Sequence, residues 1–162
     1  MAIDVTDAGR LLPRRGHGNA ARVRSAGKAL LAAVGHSDSQ LSLVMVGDDE
    51  MRRLNRRYRG QRKTTDVLSF AQLEGDAIES ADDSHLGDVV VSVPVARRQA
   101  RQGGWTLEEE LLRLVIHGLL HVLGYDHEKS VREARRMQRE EARLCDVLAA
   151  AGYPCAREDA PA

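Results

Sequence analysis

Apolar residues recur along this chain with two different periods, and each change of period marks an element. Between Asn19 and Val34, Ala, Val and Leu return at helical spacing, and Gly35 follows as a stop. Ahead of that helix, Met1–Val5 reads as a short edge strand. Thr6–Gly18, with its Gly, Pro and Arg, reads as a loop. Leu41–Val46 (LSLVMV) is a strand, apolar on one face and nearly so on both. Asp48 is expected to cap a helix that runs to about Tyr58, with Met51, Leu54 and Tyr58 as its inner stripe. Asp66–Ala71 (DVLSFA) and Leu86–Val93 (LGDVVVSV) are strands, the second rich in β-branched residues. Gln72–His85 is acidic and reads as a surface loop, with His85 a loop histidine rather than a ligand. Pro94 suits the first turn of a short helix that reaches Gln102 and stops at Gly103 and Gly104.

Two longer helices follow. Thr106 with Glu109 three residues on has the form of a capping box. The helix it opens is apolar on nearly every side from Leu111 to Leu123, which predicts the most buried helix of the molecule. Ser130 caps a last helix to about Ala151, with a stripe of Val131, Ala134, Met137, Glu141, Leu144 and Leu148. Gly152 and Pro154 end it, and Ala156–Ala162 reads as a disordered tail. The order β-α-β-α-β-β-α-α-α predicts a single α+β domain over residues 1–155. It should hold one mixed sheet of about four strands, packed with helices.

Composition narrows the class. The chain has 162 residues, 43% hydrophobic and 30% charged, which suits one soluble domain with a real core. Lys plus Arg equals Asp plus Glu at 24 each, so a polyanion would have to be met by a local patch. No apolar run approaches the roughly 18 residues of a membrane span, and the N-terminus lacks a signal pattern. The expectation is a cytoplasmic protein that does not enter membranes. Cys145 and Cys155 have no framework spacing and read as ordinary reduced thiols.

The chemistry concentrates in Leu114–Glu128, LVIHGLLHVLGYDHE, which holds three of the six histidines. His117 and His121 are four apart, so a helix places them on one face about one turn apart. Gly124 can leave the helix in a left-handed conformation, and His127 can then return a third imidazole to the first two. A lone histidine on an apolar helix is ordinarily a satisfied core residue. Three in one apolar run would each need a partner, and one metal ion serves all three. Three neutral imidazoles with one open position form the ligand set of a catalytic zinc site. One Zn2+ per chain is expected, although Ni or Cu also takes such nitrogen ligands. Metzincin proteases share this spacing but carry a Glu base after the first His, where this chain has Gly118. The ligand set therefore argues for metal-assisted hydrolysis, and Gly118 argues against peptide cleavage by that route.

Arg52, Arg53, Arg56 and Arg57 read as a solvated helix face. Arg59, Arg62 and Lys63 lie past that helix, in a loop leading to Thr64, Thr65 and Asp66. A guanidinium there could clamp a phosphate, and Arg62 and Lys63 are candidates for contact with a phosphate-bearing polyanion, RNA if the substrate is one. Asp126 is a candidate to orient a ligand ring, with a turn role as the alternative. Tyr125 could hydrogen-bond near the metal or pack. Aromatic residues are only 3% of the chain, so an RNA would be read by shape, phosphates or a partner rather than by stacking.

The block HGLLHVLGYDH from His117 to His127 resembles the signature of the YbeY family, metal-dependent bacterial endoribonucleases of ribosomal RNA maturation. Leu54–Phe70 (LNRRYRGQRKTTDVLSF) and Leu86–Ser92 (LGDVVVS) match the same family, so the resemblance covers about Leu41 to Leu148. Thr64 departs from the family's usual Pro, which removes a rigid turn but no chemistry. The resemblance implies His117, His121 and His127 as zinc ligands and Arg59 as a catalytic residue near the metal. It further implies single-strand-specific RNA cleavage in 16S rRNA 3′-end maturation and in 70S ribosome quality control. Ribosomal RNA and the ribosome or small-subunit proteins would be its partners. Two other readings stay open: a metal-dependent hydrolase of another phosphoester, and a ribosome-associated assembly factor whose zinc is mainly structural. A fourth protein ligand such as Cys145, His85 or Asp126 would favour the last.

Overall fold

A computed structural model of the protein describes residues 3–72 and 84–157. The elements follow the expected order: β1 (Ile3–Thr6), α1 (Ala20–Ala33), β2 (Gln40–Val46), α2 (Asp48–Arg59), β3 (Val67–Ala71), β4 (His85–Ser92), α3 (Val93–Gly103), α4 (Leu107–Val122) and α5 (Val131–Ala150). They form one α+β domain around a mixed four-stranded sheet in the order β1-β2-β4-β3. β1, β2 and β4 run parallel, and β3 pairs antiparallel to β4 at an edge.

Both faces of the sheet are covered, which explains why β2 is apolar nearly throughout. Leu41, Leu43 and Met45 of β2 join Val89 and Val91 of β4 in the main core, beneath α1, α4 and α5. The alternate residues Val46, Leu68 and Val90 pack with Met51 of α2 in a smaller cluster on the other face. α4 is the central helix: Leu111, Leu112, Leu114, Val115, Ile116, Leu119 and Leu120 are all buried. The Thr106–Glu109 capping box closes its N-terminus in both directions. Ser130 caps α5 through the Glu133 N–H.

Two carboxylates in the first turn of α4 are buried as well. Glu108 accepts from Arg22 Nε at 2.6 Å and from the Gly18 N–H at 2.7 Å, with His17 Nδ1 at 3.1 Å. Burial raises its pKa, but these donors outweigh burial, Arg22 first, and hold the carboxyl at about 2. Glu110 accepts from Trp105 Nε1 at 2.9 Å and from Gln99 and Arg113.

Several expectations need correction. Asp48 is the first residue of α2 rather than its cap; Gly47 holds the cap position, and the Asp48 carboxylate pairs with Arg98 at 3.2 and 3.3 Å, tying α2 to α3. Tyr58 is half exposed, with its ring edge-on to Phe70, and the buried positions of α2 are Met51 and Asn55. The buried Asn55 amide donates to the Lys63 carbonyl at 2.8 Å and pins the loop after α2. Val131 is exposed: it opens α5 before the helix meets the core. His85 begins β4 rather than ending a loop, with Nε2 3.2 Å from Asp88 Oδ1. The C-terminal segment is ordered further than expected, since buried Ala156 donates its N–H to the Glu109 carbonyl at 3.1 Å and Arg157 bonds the Ala142 carbonyl at 2.9 Å. Most of the Gln72–His85 loop (73–83) and the last residues of the tail (158–162) lie outside the described residues.

Candidate metal centre

The end of α4 turns as the glycine spacing requires. Gly124 has φ 97°, its N–H bonds the His121 carbonyl at 3.0 Å, and the Tyr125 N–H bonds the Leu120 carbonyl at 2.9 Å. This is a Schellman ending, and it reverses the chain just after the second histidine. Asp126 Oδ1 then accepts the Glu128 N–H at 2.9 Å, a local turn that holds His127 between them. The three histidines consequently meet. Their ring centroids lie 4.6, 5.3 and 5.5 Å apart, and one nitrogen from each falls within 4.8 Å of the others.

This donor set fits a metal ion. His117 Nε2 and His121 Nε2 face each other at 3.1 Å. A tetrahedral zinc with Zn–N of 2.0–2.1 Å needs nitrogens about 3.3 Å apart. Burial lowers the His121 pKa, and the neighbouring His117 and His127 rings push it the same way; Asp126 and a hydrogen bond with the Tyr125 backbone oppose them. A ring held neutral keeps its lone pair for a metal. Among the described residues no fourth His, Cys, Asp or Glu joins the cluster. His85 sits on β4 with Asp88, and Cys145 bonds the Cys155 carbonyl, so neither closes the site.

Gly118 has a packing reason. A Cβ there would lie 2.5 Å from Val89 Cγ1 and 3.1 Å from Ser69 Oγ. Ser69 Oγ donates to the Gly118 carbonyl at 3.0 Å, so α4 rides directly on β3 and β4. The histidines open into a cleft of about 770 Å³, whose walls include Arg59, Lys63, Ser69, Tyr125, Asp126 and Lys129. Arg59 is exposed, donates to the Ser69 carbonyl at 3.1 Å and lies over the Phe70 ring. Arg62 is exposed and is not among the residues that line the cleft.

The family model described as endoribonuclease YbeY matches residues 19–149 of this chain. The chain belongs to this family. Its relatives include endoribonuclease YbeY of Anaeromyxobacter sp. (strain Fw109-5), 45% identical over 148 residues, which span 91% of this chain and 74% of that protein. The Geobacter metallireducens protein of the same name is 41% identical over 128 residues, covering 78% of this chain and 85% of its own. A Thermotoga maritima protein of known solution structure superposes with a TM-score of 0.60 at 26% identity, over 93% of this chain and 91% of that one.

Within this family frame, the groups around the histidines take unequal parts. Asp126 spends one oxygen on its turn, and the Tyr125 ring packs beneath Arg136 at 4.2 Å. Among the described residues, the carboxylate within hydrogen-bond distance of one of these three histidines is Glu141 of α5, whose Oε2 lies 3.1 Å from His117 Nδ1, whereas Glu128 Oε1 stands 4.0 Å from His127 Nε2. Sequence reading placed Glu141 in the stripe of α5 without giving it a role. Its company was the available signal: a carboxylate in line with buried Met137, Leu144 and Leu148 needs a partner.

Proposed function

We propose that this protein is a zinc-dependent endoribonuclease that cuts single-stranded RNA. The observation that carries the reading is the open three-histidine cluster lining a cleft that Arg59 also lines. His117, His121 and His127 would hold one zinc ion. Bound there, zinc supplies Lewis acidity, bringing the pKa of a coordinated water to about 7. Arg59, braced on the Ser69 carbonyl, can turn its remaining N–H donors to a phosphoryl oxygen and stabilise the charge that develops on it. Lys63, whose carbonyl is pinned by Asn55, offers a second cation to the strand, and exposed Arg62, its neighbour in the chain, is the further candidate for RNA contact. The walls include Arg59, Lys63 and Lys129, and Tyr125 is the one Phe, Tyr or Trp among their lining residues, which favours the backbone over base identity.

The natural substrate in this reading is the 3′ end of 16S rRNA, with a further part in 70S ribosome quality control, and the ribosome or small-subunit proteins deliver the RNA. Such work takes place in the cytoplasm; no helix among the described residues is long and apolar enough to cross a membrane. The test is cleavage of single-stranded and duplex RNA by zinc-loaded protein, beside His117→Ala, His121→Ala and Arg59→Glu variants checked for folding. Cutting of the single strand alone, lost in all three variants, supports the proposal. Cutting that survives loss of the histidines would overturn it.

A further inference from the structure

α5 supplies a carboxylate to a histidine it does not adjoin in sequence. Glu141 Oε2 sits 3.1 Å from His117 Nδ1, and the two residues are 24 apart. An ionised carboxylate can only accept, so Nδ1 must carry the proton and donate. His117 Nε2 is then the nitrogen with a free lone pair. That same nitrogen faces His121 Nε2 at 3.1 Å. Both side chains are shielded, with 27% of His117 and 30% of Glu141 exposed, so water competes weakly for the contact. Glu141 is anchored in turn by its helix, since Met137 and Leu144 on either side are buried in the main core.

We infer that Glu141 is a positioning residue of the metal centre: it fixes the tautomer and the ring orientation of His117 so that Nε2 is presented to the ion. The inference rests on the proposed metal-binding reading. A carboxylate behind a ligating imidazole raises its basicity and removes the rotational freedom it would otherwise lose on binding. The two carboxylates that flank His127 in sequence make no such bond: Asp126 Oδ1 accepts the Glu128 N–H, and Glu128 Oε1 stands 4.0 Å from His127 Nε2. Glu141 does not contact the reacting atoms; it acts through His117.

The test is zinc affinity by chelator competition on the full chain, together with the His117 ring tautomer by 15N NMR of the metal-free protein. Glu141→Ala should weaken zinc binding about 10- to 100-fold and leave His117 a mixture of tautomers. Glu141→Gln, which keeps an acceptor without the charge, should lie between that variant and the parent. Zinc binding by Glu141→Ala within twofold of the parent, or an unchanged single tautomer, would overturn the inference, because a helix-to-helix contact alone moves neither. Should Glu141→Ala fail to fold, Glu141→Gln carries the test: affinity equal to the parent with unshifted His117 resonances overturns it. A parent chain that binds no zinc removes the metal-centre reading itself, and this inference with it.

Discussion

Gly118 is where the chemistry and the packing of this chain meet in a single residue. Peptidases with the same histidine spacing carry a Glu at that position, and here the space is taken by Val89. Gly118→Ala should gain about 1 kcal/mol from helix propensity and lose about 1–3 kcal/mol from overpacking, since a contact of 2.5 Å onto a buried β-branched side chain cannot relax in place. The net expectation is destabilisation, read as a lower urea midpoint, and a Gly118→Glu variant should fare worse. A midpoint that rises in Gly118→Ala would show that β4 yields. Arg59 allows a second prediction at this scale. Arg59→Lys keeps the charge but cannot both brace on Ser69 and present a planar fork to phosphate. Its kcat for single-stranded RNA should fall ~10²-fold, with zinc affinity unchanged. Retained kcat would remove Arg59 from the chemistry.

α4 does two jobs as an element, and they sit at opposite ends. Its N-terminus is closed by the Thr106–Glu109 box, and its C-terminus carries His117 and His121 into the turn at Gly124. Thr106→Ala should cost about 1 kcal/mol of stability and speed amide exchange in the first turn. Because the helix body is buried throughout, that fraying should not travel, and zinc affinity should stay at the parent value. A loss of affinity in Thr106→Ala would mean that the helix moves as one rod. α2 shows how an expected stripe can fail. Met51 is fully buried, but Tyr58 is exposed, and the loop that carries Lys63 is held by the amide of Asn55. That bond pins the segment that leads through Thr64 into β3.

At the scale of the whole molecule, Glu108 is the clasp between the N-terminal loop, α1 and α4. It is only 3% exposed and gathers donors from His17, Gly18 and Arg22. Its folded pKa of about 2 lies below the ordinary 4.5, so the unfolded chain binds the proton more readily. The resulting stability is fully present above pH 4.5 and is lost as pH falls through about 2. The shift corresponds to about 3 kcal/mol. Urea unfolding between pH 5 and 2 should therefore show a steep loss of stability that is flatter in Glu108→Gln. Equal slopes in the two proteins would assign the acid sensitivity elsewhere.

What this sequence determined by itself is what depends on neighbours a turn away. The apolar run of β2, the β-branched run of β4, the capping box at Thr106, the cap at Ser130, the element order and the i, i+4 histidines with their glycine are local relations, so composition, period and spacing reveal them. The tertiary structure alone decided which helix face meets which. It brought Glu141 to His117 across 24 residues, buried Glu108 against Arg22, carried Ala156 back to Glu109 and set Val89 against Gly118. A carboxylate in a stripe announces that it needs a partner. Only the packing of α5 on α4 says that the partner is a histidine.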